Sequence, residues 1–320
     1  MHYSPVPLHI PDGFLSLVVS LICWAITART LSIAISRTNK SLGEKQVPLM
    51  GIMAAFVFAA QMINFPVAGG TSGHLLGGAL AAIMLGPWAA MLVMTAVIAV
   101  QALLIQDGGL LVMGANIFNM GLLTAAVGYG LYRSVLKSSY TTKLTVAGVA
   151  AWLSVMAGAL ATSLQLWLSG TTNLQAVVLA MLGVHAMIGL GEALITVAAL
   201  GFILRTRPDL LGEGSASAGG GRGWVVAGVI ISLVVVLLSP FASGNPDGLE
   251  RVAEDLGFLC AGQAPSYKII SDYTVPFLGN TPISTIAAGV IGMIVVGVII
   301  ILLGQKMKAN RKSEIANRKS

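Results

Sequence analysis

Leu174-Gln-Ala-Val-Val-Leu-Ala-Met-Leu-Gly-Val-His-Ala-Met-Ile-Gly-Leu-Gly-Glu-Ala-Leu-Ile-Thr-Val-Ala-Ala-Leu-Gly-Phe-Ile-Leu204 is an apolar run with one charged residue in it, Glu192. A bilayer core takes ~20 residues of helix to cross and offers the backbone no hydrogen-bond partners, so this run predicts a membrane-crossing helix. Six comparable segments precede it, near 13 to 36, 47 to 65, 73 to 86, 88 to 105, 111 to 132 and 144 to 168. Two follow, near 224 to 243 and 282 to 304. The third is short and is separated from the fourth by Gly86-Pro87, which suggests a tight hairpin or a broken element. With 56% hydrophobic and 9% charged residues, against about 25% charged in soluble domains, the expected fold class is an all-α polytopic membrane protein.

The stretch from Gly212 to Arg222 is rich in Gly, Ser and Ala and has no apolar period, as a linker has. It divides a seven-helix bundle from two further transmembrane helices, giving expected domains 1–210 and 224–320 with a linker at 211–223. Two cysteines, Cys23 and Cys260, are too few for a disulfide framework or a thiolate metal site. The formal charge of +6 comes from basic residues scattered beside apolar segments, which are topology signals and not a nucleic-acid surface.

Orientation follows from counting. With the amino terminus outside and nine crossings, all basic residues except Arg251 and Lys268 fall in or beside cytoplasmic segments, 16 of 18. The carboxy terminus is then cytoplasmic. Asp12, Asp107, Asp247, Glu250, Glu254, Asp255 and Asp272 share the outer face with His9 and His74, which makes that face attractive to cations.

Only four histidines occur, His2, His9, His74 and His185. A peptide beginning Xaa-His chelates a metal through its terminal amine, the deprotonated His amide and His Nδ1, and one more imidazole completes a plane of four nitrogens. Such a plane suits Ni(II) or Cu(II), accommodates Co(II) and fits tetrahedral Zn(II) poorly. Met1-His2 satisfies that pattern as written, while His9 requires a free amine at position 8. His74 follows Gly69-Gly-Thr-Ser-Gly73, whose glycines let the backbone turn sharply and approach an ion. His185 and Glu192, seven residues apart, share a helix face and read as an internal polar contact rather than as direct ligands. Asn64, Ser72, Asn116, Asn119, Gln101 and Gln106 either orient site residues or make ordinary interhelical hydrogen bonds. No phosphate-binding loop, zinc-protease motif or nucleophile turn is present, so the chain is expected to be no enzyme and to carry no ATPase of its own.

At His9-Ile-Pro-Asp-Gly-Phe-Leu-Ser16, Gly69-Gly-Thr-Ser-Gly-His-Leu-Leu-Gly-Gly78, Gly86-Pro-Trp88, Gln106-Asp-Gly-Gly109, Gly114-Ala-Asn-Ile-Phe-Asn-Met-Gly121 and His185-Ala-Met-Ile-Gly-Leu-Gly-Glu192 the sequence resembles the CbiM/NikM family. These are substrate-specific (S) components of energy-coupling factor transporters for cobalt or nickel. Residues 239 to 258 resemble the accessory PDGLE module, here fused through the linker.

The resemblance implies a metal held by the terminal amine, amide and imidazole of an amino-terminal Met-His and by the imidazole of a Thr-Ser-Gly-His loop, which match His9 and His74. It also implies partners in the membrane and beyond it, a transmembrane coupling (T) protein and two cytosolic ABC ATPase subunits. Family members usually begin directly at Met-His-Ile, whereas seven residues precede Leu8 here. The functional protein is therefore expected to start at position 8 as Met, with Met1-His2 as the rival chelating end. The expected function is inner-membrane import of Ni(II) or Co(II), bound as substrate with no resident cofactor, cobalt serving cobalamin biosynthesis. A stand-alone secondary carrier and a non-transporting scaffold are the alternatives.

Overall fold

A computed structural model describes residues 9–43, 45–211 and 223–317. His2, the start expected at Leu8, the linker residues 212–222 and the basic residues Arg318 and Lys319 lie outside the described residues.

The chain runs α1 (Leu17–Ser41), α2 (Gln46–Gln61), β1 (Phe65–Val67), β2 (Thr71–Gly73), α3 (Gly78–Leu85), α4 (Pro87–Val100), α5 (Met113–Asn116), α6 (Thr124–Tyr132), α7 (Tyr140–Leu168) and α8 (Leu174–Thr206). After the linker come α9 (Gly223–Leu238), α10 (Gly248–Asp255) and α11 (Pro282–Asn317). Among the described residues six helical stretches are long and apolar enough to cross a bilayer: Leu17–Ser41, Pro87–Ile105, Tyr140–Leu168, Leu174–Thr206, Gly223–Phe241 and Pro282–Arg311. The protein is a helical multi-pass membrane protein. Polar side chains start several of these helices by accepting orphan backbone N–H groups, as Ser16, Ser139 and Asn173 do for α1, α7 and α8.

The apolar runs do not all become simple spans. The 47–65 segment is helical only to Gln61, and α2, at 16 residues or ~24 Å, falls short of a ~30 Å hydrocarbon core. The 73–86 segment is helical only from Gly78, because Thr71–Gly73 pairs antiparallel with Phe65–Val67 around the left-handed glycines Gly69 and Gly70. A strictly helical reading misses this hairpin, and the hairpin is what carries His74. Gly86, at φ 78, and Pro87 at the first position of α4 then turn the chain sharply, so α3 and α4 are separate helices.

Helix α4 is the centre of the bundle and α9 its periphery, with 72% and 17% of their apolar stretches buried. Beyond α4 the helix winds into a π-helical stretch, Gln101–Ile105, and a second one, Ile117–Leu123, joins α5 to α6. The second module docks on α2 through small residues. Gly292 meets Phe58 and Gly228 meets Ile52 so closely that no side chain would fit at either glycine.

Candidate metal site

The amino-terminal strap His9–Leu15 has almost no regular structure, and polar side chains hold it against the loop between α4 and α5. Asn116 clamps Ile10 from both sides, its Oδ1 accepting the Ile10 N–H at 3.1 Å and its Nδ2 donating to the Ile10 carbonyl at 3.0 Å. The Asp12 carboxylate accepts backbone N–H groups of Leu110, Leu111 and Val112 at 2.9–3.2 Å, where a negative charge also complements the start of α5. Gly13, at φ 92, lies against the Ala261 carbonyl of the second module, and Gln263 N–H donates to the Asp12 carbonyl at 2.7 Å. Thus His9-Ile-Pro-Asp-Gly-Phe, Gln106-Asp-Gly-Gly and Gly-Ala-Asn116 are complementary halves of one docking arrangement.

This strap delivers His9 to a buried position, 2% exposed. Its backbone N–H donates to Asp107 Oδ1 at 3.2 Å, and its Nδ1 lies 3.2 Å from the Asp107 carbonyl. The two nitrogens that an amide-imidazole chelate requires therefore face one residue, Asp107. His9 Nε2 is buried with no hydrogen-bond partner among the described residues, as is Asp107 Oδ2.

The hairpin delivers the second imidazole. His74 Nδ1 lies 3.0 Å from the Leu75 carbonyl, and a carbonyl can only accept, so this ring carries its proton on Nδ1 and its lone pair on Nε2. The His9 and His74 rings stand edge to face with centroids 5.6 Å apart. Glu192 of α8 fixes the loop that follows, accepting the N–H groups of Leu76 at 2.6 Å and Gly77 at 2.8 Å. Charged acceptors of this kind make roughly twice the bond of neutral ones, so the loop is tied firmly to α8.

Both rings line a cavity of about 70 Å³. Its floor includes Asn119, which exchanges hydrogen bonds with Gln165 at 2.8 Å and donates to Thr162 at 3.1 Å. His185 lines it from α8, and Asp247, Gly248 and Leu249 line it from the second module. Asn64, Ser72 and Glu192 do not line it. Ser72 holds the second module instead, donating from N to the Pro246 carbonyl and from Oγ to the Asn245 carbonyl, both at 2.8 Å. Asn64 accepts the Ser243 N–H on its carbonyl. Among the described residues no three His, Cys, Asp or Glu side chains converge closely enough to hold a metal by themselves.

The role of Asp247 escapes a sequence reading that counts it only as one acid on the outer face. Pro246-Asp-Gly-Leu-Glu250 is a capping sequence: Asp247 Oδ1 accepts the Glu250 N–H at 2.7 Å and starts α10, with Glu250 at the third helical position. Gly248 packs where a Cβ would stand 2.9 Å from His185 Cε1, and Leu249 is buried. Burial pushes the Asp247 carboxyl up to about 8, with the charges of Glu250 and Asp107 adding to it. Burial and then Asp107 likewise raise Asp272 to about 6. The carboxylates of one end of the molecule are thus close enough to repel one another, a field that favours a cation.

Residues 9–210 match the family model described as the cobalt uptake substrate-specific transmembrane region. The chain belongs to this CbiM family. Residues 222–309 match the PDGLE domain. An Archaeoglobus fulgidus protein, provisionally named a fused nickel transport protein NikMN, is 34% identical over 296 residues, covering 90% of this chain and 95% of its own. The fused nickel transport protein NikMN of Rhodobacter capsulatus is 28% identical over 336 residues, covering 91% and 96%. The cobalt transport protein CbiM of Sorangium cellulosum is 33% identical over 216 residues, covering 64% of this chain and 94% of its own. A crystal structure of a truncated transition metal transporter superposes with a TM-score of 0.56 at 37% identity, covering 62% of this chain and 98% of that one. This CbiM chain is therefore a component of transition-metal transport with a PDGLE domain fused to it.

Proposed function

We propose that this chain is the substrate-binding component of an ATP-driven energy-coupling factor importer in the inner (plasma) membrane, capturing Ni(II) or Co(II) outside. The amino terminus faces outward and the basic carboxy-terminal end faces the cytoplasm. A transmembrane coupling protein and two cytosolic ABC ATPases drive release inward, and the chain itself catalyses no covalent step. The observation that carries this reading is the meeting of His9 and His74, from a strap and a hairpin far apart in sequence, in one small buried cavity.

In this reading His9 gives up the Asp107 contacts of its amide N–H and Nδ1–H, losing both protons to bind through those two nitrogens, His74 supplies Nε2, and the amine of residue 8 completes the plane. Among the described residues the shortage of side-chain donors fits a site built partly from backbone nitrogen. Glu192 and Ser72 act through the His74 loop and the second module, not on the ion. Four nitrogens rank Cu(II) above Ni(II) and Ni(II) above Co(II), and Zn(II) competes poorly.

Metal analysis and equilibrium dialysis of the purified chain test this, with separate His2→Ala and His9→Ala replacements. One ion per chain, lost in the His9 variant and kept in the His2 variant, is expected. No stoichiometric metal defeats the reading in favour of a scaffold, and loss only in the His2 variant moves the chelate to Met1-His2. Uptake that survives ATP depletion but stops with a proton uncoupler defeats the ATP-driven part in favour of a secondary carrier.

A further inference from the structure

The cavity contains a second pair of donors that the four-nitrogen site leaves unused. His185 Nδ1 lies 2.8 Å from the Met181 carbonyl, so its proton is on Nδ1 and its lone pair is on Nε2. Asp247 lines the same cavity from the segment packed against the His185 ring and is 3% exposed. One of its oxygens is committed to the Glu250 N–H, and a carboxylate has further acceptor capacity. The missing side chain at Gly248 lets the Asp247 segment close against the His185 ring, since even a Cβ there would meet His185 Cε1 at 2.9 Å and Ile188 Cδ1 at 2.8 Å. A cavity of about 70 Å³ has room for roughly two waters at ~30 Å³ each. The buried, unpartnered Nε2 of His9 belongs to a residue in its wall.

One carboxylate oxygen, one neutral imidazole and a water that stays on the ion form a mixed, adaptable ligand set for a divalent transition-metal ion that has lost only part of its hydration shell. A planar four-nitrogen site demands an ion stripped of nearly all of it. Stripping in two stages lowers the barrier, and the first stage belongs where the carboxyl groups of Asp107, Asp247, Glu250 and Asp272 gather, since an arriving cation displaces a proton there and is held by the carboxylate it leaves.

We propose that Asp247 and His185 form a transfer site that binds the partly hydrated divalent metal ion before it passes to His9 and His74. The PDGLE segment then contributes a ligand as well as a cover. This inference rests on the His9/His74 reading above.

The test is stopped-flow association and dissociation of the Ni(II) aqua ion, in a non-coordinating buffer, with the full chain. A residue on the path lowers the barrier in both directions, whereas a ligand of the final site mainly slows escape. Asp247→Asn, which preserves the helix cap, is expected to slow association and dissociation together by tenfold or more. His185→Gln, which leaves the α10 cap untouched, is expected to do the same, and the double variant to be no slower than the slower single one. His74→Ala separates the two readings, since it abolishes tight binding while leaving a weak Ni(II) site that Asp247→Asn removes. Wild-type association in His185→Gln, faster dissociation alone in Asp247→Asn, or multiplying effects in the double variant overturn the proposal. Tight binding that survives His74→Ala overturns the His9/His74 reading instead.

Discussion

The two sides of the metal cavity are built on different principles. On one side the strap carrying His9 is fastened to the bundle by side chain to backbone bonds in both directions: Asn116 on both faces of Ile10, Asp107 on His9 itself, and the strap's own Asp12 on three successive N–H groups of the Leu110–Val112 loop. On the other, the Asn245–Leu249 segment is held by two bonds from Ser72, by its own helix cap and by the apolar seat of Leu249 and Val252. A buried polar group left unmatched costs about 1–3 kcal/mol, so opening the first wall strands several polar groups at once, while opening the second breaks the Ser72 bonds and exposes Leu249 and Val252. A fixed wall facing a separately held cover suits the proposed function, which needs an ion both admitted and held.

Four changes break or sharpen this contrast. His74→Ala, in the fixed wall, has the largest expected effect: binding measured by dialysis should fall by at least a hundredfold and uptake should cease, with membrane insertion intact. Near-normal binding in that variant removes His74 from the site. Asn116→Leu should come next, because it strands the Ile10 N–H at about 1–3 kcal/mol and takes one of two donors from the Ile10 carbonyl, which keeps the Gly109 N–H. Hydrogen exchange in the strap should accelerate, and metal affinity should drop at least tenfold. An unchanged strap would mean that the fixed wall is not fixed by these bonds.

Ser72→Ala should loosen only the cover. It deletes the Oγ bond to Asn245 but keeps the backbone bond to Pro246, about 1 kcal/mol in all. Exchange should rise several-fold in α10 and stay constant in the strap. A strap that loosens equally would show that the two walls move as one.

The smallest effect is expected at the far end of the chain's first module, where Arg207 and Lys45 pair with Asp209. The hydrogen bond from Arg207 comes first among the causes that hold the Asp209 carboxyl well below its usual range. A depressed carboxylate stabilises the fold above its unfolded pKa, ~3.9, and loses that contribution as pH falls toward the folded value. Asp209→Asn should therefore lower the melting temperature slightly at pH 7 and not at all in strong acid. Metal affinity should not change, and a change would end the separation of the metal-binding end from this one.

Much of this was legible in residues taken one at a time. The apolar runs predicted the helical membrane protein because burying backbone in lipid leaves little choice of structure. The motif glycines and histidines pointed to His9 and His74 as candidate donors, and the structure brings the two rings to one cavity. The run from 73 to 86 misled because apolarity cannot distinguish a strand from the start of a helix over so few residues. Asn116 and Glu192 were visible as polar residues in apolar surroundings, but their partners, Ile10 and the Leu76–Gly77 backbone, were not.

What the sequence determined by itself was solvent, helix content and which side chains carry atoms able to bind a metal, since these depend on local composition. What tertiary structure decided was proximity. His9 meets His74 because a strap and a hairpin are fastened to different helices of one bundle, and Asp247 enters their cavity across the linker because Gly248 lets the backbone close on α8. Contacts between segments so distant in the chain depend on packing that fills space around every residue at once, and no stretch of sequence carries that information alone.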